Sequence, residues 1–200
     1  MIDRRPVLLF SLRPLRGTHP IPPRSKSAIR LCAWMNGAIT VPHSANRTAP
    51  KGKTRTVGYF WKRQVITVDT IDDVFDVMFI DCPPHKDGSV ARKASRKALR
   101  PLVPMLEGRV VVMCGRGVEH ILFAKNSAPY GAVRMLNLNS RMLTGEHGLP
   151  PALCTTVIAP HPSPNNQPRI TRSPHQAKRL EFGMIYRRSL TLKHRPPRTL

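Results

Sequence analysis

The sequence predicts a small α/β fold with a partly parallel sheet, flanked by basic, proline-rich, largely disordered extensions. Two observations carry this. A strand, a helix and a strand follow one another between about residues 74 and 114, which is a βαβ unit. Charge and proline are also distributed unevenly. Residues 1–68 hold 13 Lys and Arg against the single acid Asp3, and residues 124–200 hold 12 against two. Residues 69–123 hold eight of each. The net charge of +22 therefore divides into +12 and +10 on two flanks around a neutral centre. Prolines follow the same division, seven and ten in the flanks against four between them, and proline interrupts helices and central strands alike. The predicted organisation is a leader at 1–56, an α/β core at 57–160 and a tail at 161–200.

The elements follow in order. No acid occurs from Arg4 to Val68. Residues 4–34 mix Arg4, Arg5, Arg13, Arg16, Arg24 and Arg30 with serines and the apolar stretch Val7 to Leu12. That is the composition of a mitochondrial transit peptide, although five prolines interrupt any long amphipathic helix. A mitochondrial matrix location is the expectation, with nucleus or cytoplasm as alternatives. Val65-Ile66-Thr67-Val68 is β-branched and reads as a strand. Val74 to Asp81 is apolar on both alternating faces, as in a strand covered on both sides. Ser89 is the expected N-cap of a helix whose inner face is Ala91, Ala94, Ala98 and Leu99, and Pro101 is expected to stop it. Arg109 to Cys114 is a second buried strand, ended by Gly115-Arg116-Gly117. Val118–Lys125 suits a short helix, Val133–Leu138 and Ala152–Ala159 suit strands, and Gln176–Leu192 suits a basic helix or strand.

Several chemistries are excluded. Cys32, Cys82, Cys114 and Cys154 form no Cys-x-x-Cys, so neither a zinc ribbon nor a disulfide framework is expected. No His-Glu-x-x-His and no Gly-x-Ser-x-Gly occurs. Glu119-His120 and Glu146-His147 are adjacent pairs, which do not share a face. No run of 18 apolar residues occurs, so no membrane-spanning helix is expected. No metal and no cofactor are expected from the residues.

The basic clusters point to a polyanion. Lys51, Lys53, Arg55, Lys62 and Arg63 surround Tyr59, Phe60 and Trp61. Cations bind phosphate and planar rings stack on bases, which is what single-stranded RNA or DNA binding needs. Arg92, Lys93, Arg96, Lys97 and Arg100 share one face of the expected helix. Lys178, Arg179, Arg187 and Arg188, with Lys193, Arg195 and Arg198, resemble a disordered nucleic-acid-binding arm. The expected function is non-catalytic binding of nucleic acid, RNA foremost, as an accessory of a ribonucleoprotein or as a viral protein.

Part of the centre resembles a known family. Phe75 to Pro84, then Ala98 to Leu106, then Gly108 to Val112 look like the later half of a class I S-adenosylmethionine-dependent methyltransferase. The resemblance covers residues 69–114. It implies a divergent or truncated methyltransferase using S-adenosylmethionine, with Asp81 and His85 at the positions of the acid and aromatic after the fourth strand. The family's glycine-rich cofactor loop has no counterpart in residues 1–68, and Cys82 separates Asp81 from Pro83-Pro84. Ile80 to Pro84 also resembles the second acidic motif of ParA-like partition ATPases, but Arg47 stands where their phosphate loop needs its first glycine. A third reading is an open reading frame with no evolved function.

Overall fold

The fold is given by a computed structural model, which describes residues 5–12, 26–42, 54–59, 65–81, 95–123, 128–139, 152–162 and 173–194. In chain order the elements are strand β1 (Val7–Leu12), helix α1 (Lys26–Met35), and the antiparallel pair β2 (Ala38–Pro42) and β3 (Thr54–Tyr59). Next come the one-turn helix α2 (Ile71–Val74), strand β4 (Asp76–Asp81), helix α3 (95–99), a 3-10 turn (Arg100–Leu102) and helix α4 (Val103–Leu106). Strand β5 (Val110–Cys114), helix α5 (Arg116–Leu122), strands β6 (Val133–Asn137) and β7 (Leu153–Ala159), and helix α6 (Ser173–Ser189) complete the set.

Five strands form one sheet in the order β4-β1-β5-β7-β6, and β2-β3 is a separate two-stranded sheet. All neighbours in the large sheet are parallel except β6, which runs antiparallel to β7 at the edge. The expected α/β fold is thus present. Helices cover both faces of the sheet, and this explains why its inner strands read as continuous apolar runs. Val7 and Leu9 of β1 and Val111 and Met113 of β5 pack with Leu99, Leu106, Val118 and Ile121 on one side. Leu8, Phe10, Val112 and Cys114 pack with Leu31, Met35, Phe182 and Tyr186 on the other. Among the described residues no helix is long and apolar enough to cross a membrane.

The fold extends beyond the expected core. The leader contributes β1, which lies between β4 and β5, and also contributes α1. The tail contributes α6, which packs on α1. The expected βαβ unit therefore steps over one strand, since β4 and β5 both pair with β1. Two local expectations are also corrected. Residues 65–67 form no strand, and 68–70 form a turn. The Asn36 side chain takes both backbone hydrogen bonds of Ile66, at 2.7 and 2.9 Å, in place of a strand partner. Pro101 does not stop the helical run. It stands near the start of the 3-10 turn, where its missing N–H has no partner to lose, and α4 follows. Ser89, Ala91 and Ala94 lie outside the described residues.

Ion pairs close the amino-terminal edge of the sheet. Asp76, first in β4, receives Arg5 at 2.9 Å and also Arg109, which is buried just before β5. Asp76 N–H donates to the Pro6 carbonyl at 3.0 Å. One carboxylate thus joins the starts of three neighbouring strands.

Candidate nucleic-acid interface

A doubly covered parallel sheet binds ligands at its carboxyl edge, where the strand order reverses. Here the reversal lies between β1 and β5, since the chain passes from β1 to β4 on one side and continues through β5 and β7 on the other. Gly115 (φ +98°) and Gly117 bring the backbone in closely at this point. A Cβ on Gly115 would stand 2.8 Å from the His161 Cβ, and one on Gly117 would stand 2.8 Å from the Ser11 Oγ. The crevice is therefore packed shut by Ser11 and His161. His161 sits edge-on to Phe10, with ring centroids 5.4 Å apart.

Burial holds the His161 imidazole below its ordinary value of 6.5. The fold then favours the neutral ring, and the unfolded chain takes up the proton more readily. Stability from this group is complete above pH 6.5 and is lost as the pH falls through the lowered value. Urea unfolding at about pH 7.5 and about pH 5 should show a smaller acid loss in His161→Phe than in the parent. An equal loss in the two proteins contradicts this.

Beside the crevice, Glu119 of α5 is buried and holds two groups. It accepts from Arg116 and, at 2.8 Å, from the Ala128 backbone N–H. Arg116 in turn lies over the Tyr130 ring, 4.3 Å from its centre. Because the Arg116 side chain is 36% exposed, losing the ion pair costs less than orphaning the buried Ala128 N–H. Glu119→Ala should destabilise by about 2 kcal/mol in urea unfolding. Glu119→Gln keeps an acceptor for that N–H and should cost less than half as much; equal costs for the two would contradict this division.

The expected binding residues divide three ways. Lys51, Lys53, Phe60, Trp61, Lys62, Arg63, Arg92, Lys93 and His85 lie outside the described residues. Arg55 and Tyr59 are placed in β3 by backbone only, opposite Val41 and Ala38. Asp81 likewise ends β4 at the sheet edge, and its side chain is not described. The rest are fully placed. Lys97 and Arg100 are exposed, while the Arg96 Nε donates to the Ile121 carbonyl at 3.0 Å. Arg187 is turned inward, donating to the Met35 carbonyl and, at 3.2 Å, to the Asn36 side chain. Arg179 is half-buried.

That leaves an outer ridge on α6. Lys178, Glu181, Met184 and Arg188 recur at helical spacing and are all exposed, and exposed Lys193 follows the helix. Beside this ridge runs a groove of about 610 Å³ lined by Tyr130, Val157, Glu181, Met184, Ile185 and Arg188. The groove holds one aromatic ring, Tyr130, which Arg116 covers on one face and Phe182 meets edge-on. Glu181 is the one acid on that ridge. Tyr130 had no signal in the sequence: it is an isolated ring between Pro129 and Gly131. No group of three or more metal-ligating side chains occurs among the described residues. Comparison with protein-family models, with curated proteins and with solved structures finds no match to the chain.

Proposed function

We propose that this protein binds single-stranded nucleic acid, RNA foremost, mainly through phosphate contacts and without catalysing a reaction on it. The observation that carries the reading is charge. If each of the 11 carboxylates neutralised one of the 33 Lys and Arg, 22 cations would still be left over. Among the described residues, Asp76 takes two arginines and Glu119 takes one. An excess this large favours a polyanionic partner. The exposed cations Lys178 and Arg188 on α6 and Lys193 after it, with Arg188 lining the Tyr130 groove and Lys193 a neighbouring groove, are the part of the described surface that suits a single strand best. An accessory place in a ribonucleoprotein fits this mode of binding.

The test is fluorescence anisotropy with labelled single-stranded RNA across about 50–200 mM salt. Binding should weaken linearly in log–log form, with a slope of about −0.7 per phosphate neutralised. No binding at the low end of that range defeats the proposal.

A further inference from the structure

Strand β6 stands at one edge of the large sheet, antiparallel to β7. Its hydrogen bonding follows from the register. The Leu138 N–H donates to the Ala152 carbonyl at 2.7 Å, and the Ile158 N–H donates to the Ala132 carbonyl at 3.2 Å. Hydrogen-bonded pairs alternate along an antiparallel ladder. Arg134 and Leu136 therefore turn their backbone groups inward, to Thr156 and Cys154. The backbone groups of Val133, Met135 and Asn137 point outward. Among the described residues no strand pairs with that outer side.

The side chains alternate in the same way. Leu136 is buried in the core on one face. Arg134 shares that face, with its guanidinium 5.8 Å from the centre of the Phe123 ring. Val133 and Met135 stand on the opposite face, 39% and 43% exposed. With Thr155, Thr191, Leu192 and Lys193 they line a groove of about 500 Å³. The Thr155 hydroxyl donates to the Met135 Sδ at 3.4 Å, at the floor of this groove. The other edge strand, β4, exposes no large apolar side chain among its described residues. Unpaired backbone groups beside exposed apolar side chains make β6 a template for a further strand.

Charge decides which strand. Residues 128–139, 152–162 and 182–200 contain no Asp or Glu. Arg134 stands on one face of the edge, and Lys193 walls the groove on the other. A second copy of the chain would bring Arg134 towards Arg134 and set a net +22 against +22. We propose that the β6 edge accepts an extended segment of a partner protein in which apolar residues alternate with Asp or Glu. The apolar side chains of the segment lie in the groove against Val133 and Met135. Its carboxylates fall on the face of Arg134, and its backbone pairs with Val133, Met135 and Asn137. The site does not depend on RNA binding along the α6 ridge, although Lys193 borders both surfaces.

Fluorescence anisotropy of the full chain with a labelled peptide of about six residues, valine alternating with glutamate, tests the site. The expected result is saturable binding that is lost when the peptide is N-methylated at every residue, and lost again when lysine replaces glutamate. Met135→Pro removes an outward N–H and no bond to β7. It should weaken binding about tenfold or more with circular dichroism unchanged. Met135→Glu keeps that N–H but repels the acidic strand, and it should weaken binding as well if the proline variant fails to fold. No saturable binding overturns the proposal, and so does equal affinity for the N-methylated peptide or equal affinity in parent and variants. A dimer in sedimentation that Met135→Glu disperses would assign the edge to a second copy. Single-stranded RNA whose affinity falls in Met135→Pro would assign it to nucleic acid. Either outcome overturns the proposal. Peptide binding together with no RNA affinity would defeat the RNA reading and leave this site standing.

Discussion

Replacing Phe10 with alanine should lower the unfolding free energy by about 3–5 kcal/mol. Phe10 is 1% exposed, stacks on Phe79 at 5.7 Å and meets His161 edge-on. It belongs to β1, which pairs with β4 through six residues and with β5 through four. The loss therefore falls on an inner strand of the sheet, where little can move in to fill the space. For a domain whose total stability is about 5–15 kcal/mol, a change of this size removes a large share of it. Urea unfolding of the full chain reads it directly. A change under about 0.5 kcal/mol, as for an ordinary surface position, would mean that residues 7–12 are a leader and not a strand.

Gly183→Ala should also destabilise, against the local preference of a helix. Alanine is favoured over glycine in a helix interior by about 1 kcal/mol. Yet a Cβ at this position would stand 1.9 Å from the Trp34 carbonyl oxygen and 2.6 Å from its carbon. Both are backbone atoms, so no side chain can swing aside and the helices must separate. Such overpacking costs up to about 3 kcal/mol, occasionally more. The steric term wins, for a net loss of about 2 kcal/mol, or roughly 4–8 °C in Tm. A rise in Tm would show that α1 and α6 do not approach this closely.

What the sequence made legible follows from which forces are local. Strands β5 and β7 were readable because burial on both faces leaves an apolar run bounded by Pro or Gly, and β4 carries a similar run although it is an edge strand whose side chains are mostly half-buried. Val7 to Phe10 is the same kind of run, but Arg and Pro on both sides drew it into the basic leader. Val65–Val68 has strand composition and forms none, because the Asn36 side chain answers the Ile66 backbone from 30 residues away. Helix α6 was ambiguous for a different reason. Among its described residues the buried apolar side chains are few, Phe182, Ile185 and Tyr186, and basic residues surround them. The binding residues show the same limit. Arg187 looks identical to Arg188 in sequence, but one is held by the carbonyl of Met35 and the other is exposed. No local pattern carries that difference.

The most direct test of the proposed function compares the salt dependence of RNA binding in the parent and in a Lys178→Gln, Arg188→Gln, Lys193→Gln variant. These three side chains are exposed, and none is drawn into the core. The folded scaffold should be unchanged by circular dichroism and Tm. If the α6 ridge meets the phosphate backbone, affinity should fall. The log–log salt slope should also become shallower by about 0.7 for each phosphate that is no longer neutralised, up to about 2 in total. An unchanged affinity and slope in the folded variant would contradict RNA binding along this ridge.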